Sequence, residues 1–146
     1  RHSGVAQGFC RRIQAAALIR IAVDPFPPQD ELSALFAAAW GSAPSPTYVE
    51  QVLPRSLAHL GAFEGQRLVG FVNVAWDGGV HAFLLDTSVH PELQRRGIAT
   101  QIVQQAADVA RARGAEWLHV DFEPRLEAFY RACGFAPTAA GLIRLK

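Results

Sequence analysis

The sequence predicts an α+β domain: a central mixed, mostly antiparallel sheet flanked by helices. Three observations carry this. Helical periodicity precedes a meander of apolar runs, and tight turns at Glu64-Gly65-Gln66 and Asp77-Gly78-Gly79 interrupt the runs. Periodicity near 3.6 then returns after Gly97, followed by a short strand and another helix. The chain has 146 residues, half of them hydrophobic, enough to bury one core without metals or disulfides, so a single domain over residues 1–146 is expected. There is no methionine, even at position 1, so roughly the first 14 residues are read as non-native or flexible.

Residues 17–23 carry the β-branched Ile19, Ile21 and Val23 and stop at Asp24-Pro25-Phe26-Pro27-Pro28, which predicts a first strand running into a loop. Asp30 is placed to cap a helix over 31–40, whose buried face is Leu32, Leu35, Phe36, Ala39 and Trp40, with Gly41 as its stop. After the loop 41–46, Thr47 is placed to cap a second helix to about residue 58, with Pro54 predicting a kink or early end. Strands follow at 60–63, 67–76 and 80–89. A polar connection, 90–97, leads to a helix from Ile98 with Ile102, Val103, Ala106, Val109 and Ala110 on one side and Gly114 as its stop. A strand at 117–122, a helix at 124–132 opened by Pro124, and apolar pieces at 135–137 and 142–145 are expected to complete the sheet.

Charge narrows the function classes. A net charge of +1 with 18% charged residues argues against a strongly basic nucleic-acid binder and against an acidic tail. Cys10 and Cys133 lie far apart without zinc spacing, which favours a reducing compartment. The apolar stretch after Arg11 and Arg12 is broken by Arg20 and Asp24, too short for export or membrane insertion. A cytoplasmic protein without membrane contact is expected. His81, His90 and His119 lack metal-ligand spacing, so no metal is expected.

The segment most informative about chemistry is Gln94-Arg95-Arg96-Gly97-Ile98-Ala99, between a strand and a helix. A helix N-terminus presents unpaired N–H groups and the positive end of a dipole, a ready cradle for a phosphate. Gly97 lets a backbone approach, Ala99 keeps the first turn open, and Arg95 and Arg96 add positive charge at the mouth. The same pattern also serves as an ordinary connection.

These residues resemble the GCN5-related N-acetyltransferase (GNAT) family over roughly residues 67–135. Gln94, Gly97 and Ala99 match that family's Gln/Arg-x-x-Gly-x-Gly/Ala loop. Val120, Phe129-Tyr130 and Gly134-Phe135 match a second landmark about thirty residues on. The resemblance implies a sheet splayed between its fourth and fifth strands. It also implies that Gln94, Arg95, Arg96, Gly97, Ile98, Ala99 and Thr100 hold the pyrophosphate of acetyl-CoA, as co-substrate. Backbone groups near Thr87 and Val89 would be freed at a bulge for the pantetheine arm and thioester oxygen. The implied activity moves acetyl to a primary amine, of a small molecule or a protein, by direct attack in a ternary complex. The alternative on the same fold is a non-catalytic acyl-CoA-binding or regulatory module.

Tyr130 matches the family tyrosine that acts as general acid toward the leaving sulfur. Asp86 and Glu123, with Asp121 beside them, are the candidate bases by position, with Asp86 first. A carboxylate amid Leu84, Leu85, Val120 and Phe122 is expected to be partly desolvated. Glu123 departs from the family pattern, which often has Asn seven residues before the tyrosine and uses it on the CoA arm. By the same resemblance, acceptor specificity lies in the first two helices and their loop. There Trp40 and Tyr48, with Gly41, Pro44 and Pro46, suit one wall of a substrate cleft and equally suit packing or a homodimer contact.

Overall fold

The computed structural model describes residues 18–146. Cys10, Ala17 and the reading made of the first fourteen residues lie outside that range. The order is β1 (Ile19–Val23), α1 (Gln29–Trp40), α2 (Tyr48–Gln51), β2 (Ala58–Glu64), β3 (Arg67–Trp76), β4 (His81–Val89), α3 (Ile98–Ala112), β5 (Trp117–His119) and α4 (Glu127–Ala132). The strands form one sheet in sequence order, antiparallel from β1 to β4 and parallel between β4 and β5.

Helices cover both faces of the sheet. On one face α3 lays Ile98, Ile102, Val103, Ala106 and Ala110 on Leu60, Ala62, Val72, Val74, Ala82 and Leu84, and Tyr130 of α4 joins this core. Gly70 of β3 makes the approach of α3 possible: a Cβ there would stand 3.1 Å from Ala62 Cβ and 3.3 Å from Ile98 Cγ2. On the other face Leu32, Leu35 and Phe36 of α1 and Tyr48 of α2 pack with Leu53, Phe63, Leu68 and Phe71. Full burial of Phe71 alone contributes roughly 2–3 kcal/mol of hydrophobic stabilisation.

The expectations need correction at several points. Asp30 does not cap α1: Pro28 is the N-cap residue, its carbonyl accepts from Leu32 N–H at 3.2 Å, and Asp30 and Glu31 sit in the first turn, where their charge suits the dipole. Thr47 makes no side-chain cap bond, and α2 ends at Gln51 because Pro54 converts the next turn to a 3-10 turn at Leu53–Arg55. Pro124 likewise opens a 3-10 turn, Pro124–Leu126, ahead of α4. The last strand is half the expected length, pairing with β4 only through Trp117, Leu118 and His119. Among the described residues no strand follows α4. Gly134 turns the chain at φ +103, Pro137 offers no ladder N–H, and Leu142, Ile143 and Leu145 are more than 80% exposed with nothing to pack against. No helix among the described residues is long and apolar enough to cross a membrane.

One polar cluster pins the loop after β1. His59 of β2 is buried; its Nε2 accepts from Phe26 N–H at 2.9 Å, and its backbone N–H donates to Asp24 Oδ1 at 3.0 Å. Arg113, just past α3, donates to Asp24 Oδ2 at 2.7 Å and to the Leu57 carbonyl at 2.8 Å, joining the far end of α3 to β1 and β2. Burial holds the His59 imidazole below its ordinary range, with Asp24 opposing and Arg113 reinforcing. A His lowered on folding is neutral in the native state while the unfolded chain takes up a proton, so stability must fall as pH drops below about 6.5. Urea unfolding at pH 7.5, 6.5 and 5.5 should show that loss, and His59→Gln should flatten it while lowering stability at pH 7.5 by about 1–3 kcal/mol. An unchanged pH slope in the variant would mean that the histidines outside this cluster carry it.

Candidate active site

The site is built around an irregularity in β4. Phe71 of β3 faces Ser88 and Asn73 faces Leu85, so β3 advances two residues while β4 advances three. The extra residue is a β-bulge, and Asp86 takes it up at φ +58, a left-handed conformation that asparagine and aspartate tolerate better than most side chains. The Ser88 hydroxyl donates to the Asp86 carbonyl at 2.9 Å and receives the Trp40 indole N–H at 2.6 Å. The extra residue shifts the alternation of β4, so Asp86 and Ser88 leave the α3 face on which Ala82 and Leu84 lie. Asp86 turns to the α1–α2 side, where its Oδ2 accepts from the Tyr48 hydroxyl at 2.6 Å, while Thr87 faces Tyr130 of α4.

On the first side, Trp40, Tyr48 and Asp86 come together around a pocket of about 350 Å³, completed by Phe36 and by residues 42–45 of the loop. Behind them lies Asn73, 2% exposed, with its Oδ1 unpartnered. Burial, then the hydrogen bond and charge of Asp86, push the Tyr48 hydroxyl above its ordinary range; the Asn73 amide facing it pulls the other way. Tyr48 is therefore a neutral donor fixed between a buried amide and a carboxylate. Gly41 and Pro46 of the same loop are exposed and do not line the pocket.

On the second side, Tyr130 is buried, stacked on Phe122 at 4.8 Å and met edge-on by Phe129 and Phe135. Burial raises its hydroxyl, with Thr87 acting in the opposite direction. It stands beside the seam where the sheet opens. The parallel pairing ends at Phe83 with His119, so residues 84–89, Thr87 and Val89 included, have no strand partner on that edge. At the end of β4, a 3-10 turn at Pro91–Leu93, capped by the His90 ring accepting from Glu92 N–H, delivers the chain to α3. Arg95 and Gly97 both adopt positive φ, +65 and +78, and the Gly97 carbonyl accepts the first helical bond, from Gln101. The amides of Ile98, Ala99 and Thr100 precede that bond and have no partner within the helix. A Cβ on Gly97 would meet nothing within 4 Å: it faces open space outside the fold. Gln94, Arg95 and Arg96 are exposed around it.

The expected desolvation of the carboxylates does not occur: Asp86, Asp121 and Glu123 are all exposed, because the bulge turns Asp86 outward and residues 120–123 run beyond the paired part of β5. The structure does not bring Glu123 into the pocket; its carboxylate accepts from Arg125 Nε at 2.7 Å. His81 and His119 bond to each other at 2.8 Å on the sheet edge. Sequence reasoning missed Asn73 and Ser88, and the one available signal was their polarity inside runs that otherwise read as apolar strand.

Comparison with known proteins agrees with this geometry. Residues 15–135 match the family model described as acetyltransferase (GNAT) family, and the chain belongs to that family. An uncharacterized N-acetyltransferase of Porphyra purpurea is 30% identical over 76 residues, covering 52% of this chain and 44% of that protein. The chain spans less than two thirds of the length of the curated relatives it matches. A solved structure of a probable acetyltransferase from meticillin-resistant Staphylococcus aureus has a TM-score of 0.77 at 22% identity, covering 88% of this chain and 99% of that one. An aminoglycoside N-acetyltransferase solved in complex with CoA has a TM-score of 0.74 at 19% identity, covering 92% and 98%. These structures share the fold of this chain.

The network behind the pocket makes a direct prediction. Tyr48→Phe should lower unfolding free energy by about 1–3 kcal/mol, the cost of a hydrogen bond lost from a charged partner with an amide stranded behind it. In a double-mutant cycle with Asn73→Ala, a coupling of about 0.5 kcal/mol or more is expected by urea denaturation; strict additivity would separate the two side chains.

Proposed function

We propose that this chain is an acetyl-CoA-dependent N-acetyltransferase that moves the acetyl group to a primary amine by direct attack. One observation carries the reading: the β4 bulge sets Asp86 and Thr87 side by side on opposite faces, one at an aromatic pocket and the other at Tyr130, along a strand that ends at free helix amides. The CoA bound by the aminoglycoside N-acetyltransferase of similar fold supports the choice of co-substrate.

Each group has a place in the chemistry. The N–H groups of Ile98, Ala99 and Thr100, free of helical partners, and the dipole of the fifteen-residue α3 suit the pyrophosphate, with Gln94, Arg95 and Arg96 at the mouth. The unpaired edge at Thr87 and Val89 suits the pantetheine arm and, through a backbone N–H, the thioester oxygen as it becomes negative. The amine enters past Trp40 and Tyr48. Asp86 takes its proton, directly or through water, and the nitrogen attacks the thioester carbonyl carbon. The C–S bond then breaks, the sulfur leaves as a thiol with the proton of Tyr130, and the second proton that the nitrogen sheds as the amide forms restores the Tyr130 hydroxyl. Asp86 is better placed for the base than Glu123, which lies outside the pocket and is paired with Arg125.

Two variants test the assignment. Gly97→Glu puts a carboxylate into the open space at the helix start, where the left-handed backbone adds roughly 1–2 kcal/mol of strain but no side chain is struck. Calorimetric titration should show acetyl-CoA binding weakened by about tenfold or more, and unchanged affinity removes the phosphate cradle. Tyr130→Phe keeps the aromatic packing; it should lower kcat by about 100-fold with little change in acetyl-CoA affinity. Because its hydroxyl is raised, Tyr130 stays protonated and able to donate through neutral pH. The wild-type rate should thus show no loss attributable to it below about pH 10.

A further inference from the structure

The pocket at the bulge has a one-sided chemistry. Phe36 and Trp40 present aromatic surface, and Ala43 and Pro44 add apolar wall. Asp86 is its one carboxylate, and no lining residue is lysine or arginine. Trp40 is 59% exposed, yet its indole N–H is tied to Ser88, so the ring stands as a fixed, solvent-facing plate. The volume of about 350 Å³ is near the lower end of the range for small-molecule sites.

We infer that the acceptor taken at Asp86 is a small monoamine with an apolar, ring-bearing body, an inference that rests on the N-acetyltransferase reading and narrows it. Charge complementarity decides against polycations. A polyamine or aminoglycoside brings several ammonium groups, and a pocket with one carboxylate pairs only one of them. A monoamine is neutralised by Asp86 alone. Its body then meets aromatic faces, which favour a flat ring by offset or edge contact and attract the ammonium on approach. A protein lysine would bring the same charge on a bare alkyl stem, which leaves the Trp40 plate with no ring to stack on.

The test is thiol release from acetyl-CoA with four acceptors: 2-phenylethylamine, spermidine, an aminoglycoside and a lysine-containing peptide. The expected kcat/KM for 2-phenylethylamine exceeds each of the others by about tenfold or more, the size of one or two aromatic contacts. Any of the other three equalling or surpassing it overturns the inference and leaves the enzyme reading standing. A second measurement isolates the plate. Trp40→Ala should raise KM about tenfold for 2-phenylethylamine and by less than about twofold for ethylamine, which has no ring to stack. Equal changes for both amines would mean Trp40 acts only as scaffold, and that result also overturns the inference. If acetyl-CoA fails to bind, or binds without thiol release to any amine, the N-acetyltransferase reading itself falls.

Discussion

The extra residue in β4 is the constraint from which the rest of the site follows. A regular strand would keep Asp86 and Ser88 on the α3 face that Ala82 and Leu84 occupy; the extra residue shifts the alternation and turns both toward α1 and α2. With the bulge, Asp86 meets Tyr48 while Ser88 stays buried on the indole of Trp40, and Thr87 faces Tyr130. A left-handed aspartate carries a backbone cost of about 1–2 kcal/mol. The hydrogen bonds from Tyr48 to the carboxylate and from Ser88 to the carbonyl offset it, so the strain is held by side chains from two different elements. That arrangement makes the position of Asp86 a property of the folded molecule and not of the local sequence.

The two helical layers have different duties around this point. The α3 face is uniformly apolar and anchors the sheet, with Ile98 packed so closely on Gly70 that the start of α3 is fixed to β3. The turn at Gly97 that opens α3 is therefore held in place by a contact on the far side of the helix. The α1–α2 face mixes an aromatic cluster of Phe36, Tyr48 and Phe71 with buried polar groups at Asn73 and His59. Polar groups buried among aromatics specify orientation more than they add stability, and this is the face that presents the pocket.

Much of this was legible in the residues. The meander from β2 to β4 followed from apolar runs and Gly-containing turns, and the α3 start followed from the return of helical periodicity at Ile98. The Trp40, Tyr48 and Asp86 grouping was only half legible. The first two were expected as an acceptor wall and the third as a base, but their meeting depends on which residues of β3 and β4 pair. Strand register is a long-range property that no single run encodes. The terminal apolar piece around Leu142 shows the opposite failure: its composition suits a strand, yet a strand exists only when a neighbour supplies hydrogen bonds. His59 was invisible for a similar reason, since Asp24, Phe26 and Arg113 lie far from it along the chain and converge only when β1, β2 and α3 are assembled.

The seam between β4 and β5 has a mechanical meaning. Three residue pairs hold the edge strand to the sheet, and everything from Trp117 to Phe135, Tyr130 included, hangs from that short hinge and from apolar contacts with the α3 layer. Local opening requires the fewest broken bonds there, so this lobe should be the first to exchange its amide protons in the free protein. A ligand lying along the open edge would take the role of the absent strand, its polar atoms completing the ladder that residues 84–89 leave unfinished. Occupancy and rigidity of the lobe would then be one equilibrium, and the protein would stiffen in proportion to the logarithm of the ligand concentration.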